Sequence, residues 1–426
     1  MTTPRRAPAS LAALLRGGAP LAVLCAGSAI LAWSCSGAPP AEPRMAAPAG
    51  GSRAPYDTAP VNPGPVTVNL DLRPARELLA LLAKSQFDAN DAHAIEILPV
   101  VQSEIRESGR GRDVYEHDLA AAFDAQARIT VFDFRRIRED RTKWEALLSQ
   151  ISSREGELTR RVSDRARALI PATPAVPVTV PVAMTFGLAG RTDQIVVATS
   201  EGGERTLVID LERALADLQS SGPNEQIQHL SRMMATEAYA RAWAHYRSES
   251  PVWSRHDASL GQLEPLVRAV AERGPVSLYG VDENFFPLSV WLKEPMRTSL
   301  DDLNRVADKL VSTEGDLDAR VSLQSEIRRP DFAVRVAGPA GAFLADGIIS
   351  AVGVDGYRAA LAAGPTAFFE AYDKASQEKG HALIPLSKAI RDRLAAAAAP
   401  AGKPPAAQKH NALVPAAATA AAAKAS

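Results

Sequence analysis

Glu237 sits in the run MMATEAYARAWAHY (Met233–Tyr246), and Arg241 and His245 follow it at successive four-residue intervals. On an α-helix that spacing stacks the three side chains along one stripe, with the acid ahead of the base in the order helices favour. The stripe begins apolar, at Ile227, Leu230 and Met234, so the carboxylate is predicted to face inward and to need a partner. Two chemistries fit. One is a semi-buried Glu237/Arg241 ion pair that orders the core. The other is a general base at Glu237, which also needs a proton to take and a group that polarises the target.

A helical metal site would supply that polarising group through two imidazoles at i and i+4, the spacing that brings both to within about 2.0 Å of one ion. The seven histidines are His93, His117, His229, His245, His256, His381 and His410, and no two lie three to five residues apart. The only cysteines, Cys25 and Cys35, fall inside the first apolar segment. Neither a compact His/Cys metal site nor a cofactor is expected. A ligand set assembled from distant residues, such as His229 or His245 with remote carboxylates, stays open. No nucleophile elbow, phosphate-binding loop or dinucleotide fingerprint follows a predicted strand. In AGPAGAFLADGIIS, Gly338, Gly341 and Gly347 read as close helix packing, because no basic residue is placed for a phosphate. Tyr239, Trp243 and Tyr246 form an aromatic stripe opposite Glu237, suited to packing on a neighbouring helix or to lining a peptide cleft. In YGVDENFFPLSVW, Asp282, Glu283, Phe285, Phe286 and Trp291 suit either a pocket rim or a turn leading into a core element.

The elements that must hold these residues lie between two low-complexity ends. Arg5, Arg6 and Arg16 precede the apolar run Leu21–Trp33, which is shorter than the roughly 20 residues a bilayer span needs. Residues 1–35 therefore read as a secretory signal. LAWSCSG resembles the lipobox of bacterial lipoproteins, with Ala32 where a leucine is usual. That resemblance implies a lipidated Cys35 at the mature N-terminus, whose diacylglycerol and amide-linked acyl chain, such as palmitate, exceed the two-chain minimum for stable anchoring. The simpler alternative is an ordinary cleaved signal with a chance cysteine. Residues 36–65 are rich in Pro, Ala and Gly and form a tether reaching on the order of 30 Å. Residues 395–426 form a disordered Ala/Pro-rich tail.

Residues 66–394 make up the expected globular domain. VTVNL alternates like a strand, and Pro74 then opens a helix through Ala83. Helices are expected around His93–Glu107 and Val114–Phe123, and RITVFDF, Arg128–Phe134, reads as a strand. Trp144, Leu147, Leu148, Ile151, Leu158 and Val162 place one long amphipathic helix over Glu139–Ile170. VPVTVPVAMTF, QIVVAT and RTLVIDL make a small sheet, with the prolines confining the first to an edge. Gly222-Pro223 starts the Glu237 helix, and the chain after Ser220 is mainly helical. The fold class is α+β, predominantly α-helical. Composition fits a globular protein, with 46% hydrophobic and 23% charged residues. The 48 basic residues nearly balance the 49 acidic ones, which gives no field for nucleic acid.

The order of a β-rich run, VIDLERAL and a long helix with a central Glu resembles zinc-dependent peptidases of gluzincin type, in which a strand-like IDL segment precedes a His-Glu-x-x-His helix. VTVNLDLRPARELLALL and FLADGIISAVGVDGYRAALAAGPTAFFEAY resemble that group's flanking segments, so the likeness covers most of Val66–Tyr372. It implies a gluzincin-like helical domain with a small sheet and puts the general base at Glu237. The two zinc histidines fall on Thr236 and Ala240, which cannot bind zinc. The third ligand falls near AERGPVSLYG, where Arg273 precedes Gly274 and Glu272 stands one place early. The expectation is a membrane-anchored envelope lipoprotein on the periplasmic or cell-surface side, with a degenerate peptidase domain, no metal, and a peptide or envelope protein as partner. Its rivals are an active metallopeptidase with a rearranged ligand set around Glu237 and an unrelated helical envelope protein.

Overall fold

The computed structural model describes residues 66–172, 177–187, 194–198, 205–218, 221–280, 290–378 and 383–398. Cys35, the tether 36–65 and the rim residues Asp282, Glu283, Phe285 and Phe286 lie outside these.

Strand β1 (Val66–Asp71) leads into helices α1 (Arg73–Leu82), α2 (Ala89–Glu96), α3 (Pro99–Glu107), α4 (Arg112–Ala121), α5 (Phe134–Glu139), α6 (Arg141–Ser153) and α7 (Glu155–Arg167). Strands β2 (Val178–Thr185), β3 (Gln194–Ala198) and β4 (Arg205–Asp210) follow. The rest is helical: α8 (Pro223–Glu249), α9 (Glu264–Tyr279), α10 (Val290–Ser312), α11 (Leu317–Ile327), α12 (Gly338–Ala363), α13 (Pro365–Gln377) and α14 (Lys388–Ala398). The protein is a predominantly helical α+β fold, and α14 carries the ordered chain four residues beyond the expected end at Leu394.

The sheet order is β1-β2-β4-β3, with β1, β2 and β4 parallel and β3 antiparallel on β4. Alternation gives each strand two faces. Val178, Val180, Val182 and Met184 point into the main core, whereas Ala183 and Val208 face α3 and close a small separate cluster with Val100. β2 is therefore interior, which corrects the edge position expected from its prolines. Pairing of β2 with β4 begins only at Val182, so Pro181 lies where β2 is paired with β1 alone.

Three other expectations change. Pro99 opens α3 and splits the helix expected over His93–Glu107. The Glu139–Ile170 helix breaks at Arg154 (φ −113°, ψ 18°), whose side chain instead bonds Glu157 at 2.9 Å and Asn224 at the start of α8 at 2.8 Å. RITVFDF forms no strand: the fully buried Asp118 takes the amides of Thr130, Val131 and Phe132 at 2.8, 2.7 and 2.8 Å, leaving them no ladder to join.

Helix α8 bridges two parts of the core. Ile227, Leu230 and Met234 are fully buried where it meets α7 and β2, and Tyr239 and Trp243 are fully buried toward α9. Helices α9 and α12 cross at Gly274 and Gly341, where an added Cβ on either would stand within about 2.4 Å of the other's backbone, as the small-residue reading of AGPAGAF anticipates. Pro330–Ala363 is long and apolar enough to cross a bilayer, but 72% of its most apolar window is buried within the fold, which makes it a core helix.

Candidate functional site

Glu237 and Arg241 form the ion pair that their spacing predicts, with Arg241 Nε donating to Glu237 Oε1 at 2.7 Å. Arg241 Nη2 also donates to the Arg205 carbonyl at 2.6 Å, which ties α8 to the first residue of β4. The side chains are 13% and 21% exposed, so the pair is half-buried rather than displayed. Thr236 turns its hydroxyl onto its own helix, donating to the Arg232 carbonyl at 3.1 Å. His245 lies on the exposed end of the stripe.

Glu272 does not join Glu237. It meets Arg247 at 2.9 Å, ten residues and about 15 Å of helix beyond Glu237. Among the described residues no three His, Cys, Asp or Glu side chains converge as a metal-holding group. The aromatic stripe is packing: Tyr239 stacks on Tyr279 with ring centroids 4.2 Å apart, and Trp243 Nε1 donates to the Glu272 carbonyl at 2.8 Å.

A second polar constellation, absent from the sequence expectations, lies at the carboxyl end of the parallel strands, where open α/β sheets ordinarily place their ligands. Thr185 ends β2 and is paired in register with Asp210, which ends β4. Asp210 accepts from the amides of Gly187, Glu212 and Arg213 at 2.9, 3.0 and 3.2 Å, which caps the turn after β4. Glu104 reaches this edge from α3, and Thr185 Oγ1 donates to its Oε2 at 3.4 Å. Glu104 Oε1 is buried with no hydrogen-bond partner among the described residues. Burial, reinforced by the Asp210 carboxylate, pushes Glu104 well above the usual carboxylate range, which favours its protonated form. Burial, with the nearby Glu104 and Glu96 carboxyls adding to it, also pushes the Tyr115 hydroxyl upward.

The signal for Glu104 was its place in VVQSEI, where it continues the apolar stripe of Val100 and Val101 next to Ile105. Chemically, this edge favours a protonated carboxyl in a closed interior. The Glu237 edge holds a committed ion pair. Two surface clefts, of about 500 and about 490 Å3, open elsewhere, and Glu237 lines neither.

No protein-family profile, curated protein or solved structure matches the chain.

Proposed function

We propose that this chain is an exported lipoprotein held in the cell envelope through an acylated Cys35, and that its helical domain is a non-catalytic binding or scaffold module on a gluzincin-like frame. The partner is a peptide or another envelope protein. The observation that carries the non-catalytic role is the engagement of Glu237 by Arg241, whose other nitrogen is fixed on the Arg205 carbonyl. A general base must be able to receive a proton from water or substrate. Glu237 is instead held by a permanent cation, with Thr236 and Ala240 at the positions where the resemblance puts zinc ligands.

Metal analysis and peptide hydrolysis on the purified full chain test this reading, with no stoichiometric zinc and no chelator-sensitive turnover expected. Zinc at one per chain, with hydrolysis abolished by chelator and by Glu237→Gln, would replace it with a peptidase using a rearranged ligand set. For the anchor, mass spectrometry of the mature N-terminus should find acylated Cys35, and Cys35→Ser should release the protein from the membrane fraction. An unmodified N-terminus on a soluble product would overturn the lipoprotein assignment.

A further inference from the structure

The cleft of about 500 Å3 lies where the turn Pro251–Ser254, the 3-10 turn Ala258–Leu263, the start of α9, the start of α13 and the end of α14 meet. Its volume is in the range of ordinary small-ligand sites, roughly 300–1,000 Å3.

The charges that face it do not cancel. Glu264 and Arg268 neutralise each other at 2.8 Å, and Arg268 Nη2 is further fixed on the Arg255 carbonyl at 2.6 Å. Asp257 is held by neutral donors, Thr366 Oγ1 at 2.6 Å and the Ser259 amide at 3.1 Å, which place its carboxylate without removing the charge. Glu370 lies one turn after Thr366 on α13 and lines the same cleft, with no hydrogen-bond or ion-pair partner among the described residues. Burial and the nearby Asp257 carboxylate both raise the Glu370 pKa, whereas Asp257, despite its own burial, is lowered by its Ser259 and Thr366 hydrogen bonds and, less strongly, by the charge of Arg255, so Glu370 is the carboxylate without a cation of its own among the described residues. Arg255 is exposed at the mouth, and His256, 70% exposed, stands 3.5 Å from Glu264 rather than beside the pair. Val252, Leu260 and Pro365 supply apolar walls.

We propose that this cleft binds an organic cation, an ammonium or guanidinium on an alkyl stem, seated between Asp257 and Glu370 with its methylenes against Val252 and Pro365. The N–H donors would fill the open acceptor sites of Glu370, and the positive charge would relieve the repulsion with Asp257. The source is either the basic side chain of a peptide or a free amine. A metal ion is the poorer fit, because hard divalent cations gather more oxygen ligands than these two carboxylates offer. The site supplies a ligand class for the binding role proposed above but fails independently of it: absence of cation binding leaves the Glu237 tests standing, and zinc-dependent turnover would leave this cleft unaffected.

The test is calorimetric titration of the full chain, in non-ionic detergent at low salt, with agmatine, with acetyl-Ala-Arg-Ala-amide and with acetyl-Ala-Glu-Ala-amide as control. One-to-one binding of at least one cationic probe is expected, with the glutamate peptide inert. Agmatine binding as tightly as the peptide would point to a free amine, and a tenfold preference for the peptide to a basic side chain. Glu370→Gln should weaken binding at least tenfold, and Ala397→Arg, which plants a cation on the partly exposed lining of the same cleft, should abolish it. Ala397→Arg carries the decision if Glu370→Gln is not folded by circular dichroism. Failure of both cationic probes to bind, equal binding of the glutamate peptide, or affinity unchanged in both variants would overturn the proposal.

Discussion

The two ends of the parallel strands treat their carboxylates in opposite ways. At the amino end of β4, Glu237 is half-buried and bonded to Arg241, which also holds the strand's first carbonyl. At the carboxyl end, Glu104 is fully buried beside Asp210, and one of the Glu104 oxygens has no hydrogen-bond partner among the described residues. The first arrangement neutralises charge by pairing and the second by keeping a proton. Pairing fixes geometry and uses up chemical capacity. A retained proton leaves a group whose state depends on pH. The residue that attracts attention in the sequence is thus the quieter of the two.

The largest expected effect comes from removing the acceptor around which the carboxyl end is built. Asp210→Ala leaves the amides of Gly187, Glu212 and Arg213 without their acceptor and should cost about 3 kcal/mol in urea unfolding. A loss under about 1 kcal/mol would mean that this edge is not organised by Asp210.

Next is Glu104→Gln, read through pH. In the unfolded chain a glutamate ionises near pH 4.3, whereas in the fold Glu104 holds its proton to much higher pH. The native state therefore binds more protons between the two values, and its stability falls as pH rises, by up to about 1.4 kcal/mol per pH unit. The contribution is complete below the unfolded value and is lost as pH climbs through the folded one. Glutamine mimics the neutral acid and should remove this slope, so the variant gains on the wild type from pH 4.5 to pH 8. A difference that stays constant over that range would show that Glu104 titrates normally and would break the contrast between the two ends.

The smallest effect belongs to Glu237→Gln, which should lower stability by only about 1 kcal/mol, since the pair is partly solvated and Arg241 keeps its bond to Arg205. A loss above about 3 kcal/mol would make this pair a central element of the fold rather than a brace between α8 and β4.

Local readings from the sequence fared well where the cause was local. Alternation in VTVNL, Pro223 after Gly222 and the 237/241 spacing are facts about neighbouring residues, and strand, helix start and ion pair all follow from them. They fared poorly where a distant partner decided. The Asp118 carboxylate took the amides that would have made RITVFDF a strand, Asn224 drew the Arg154 side chain away at the break between α6 and α7, and pairing of β2 with β4 only from Val182 onward let a proline-bearing strand sit inside the sheet. The cleft shows the same limit, since Thr366 reaches Asp257 across 109 positions.

The sequence by itself determined the helical class, the α8 stripe and the lack of paired imidazoles, because these depend on spacing along one chain segment. Tertiary structure alone decided the surroundings of each carboxylate. Those surroundings are set by residues distant along the chain: Glu104 lost its solvent to the fold and Glu370 was turned toward Asp257, which raises both, while the arginine bonded to Glu237 is itself fixed on the carbonyl of Arg205.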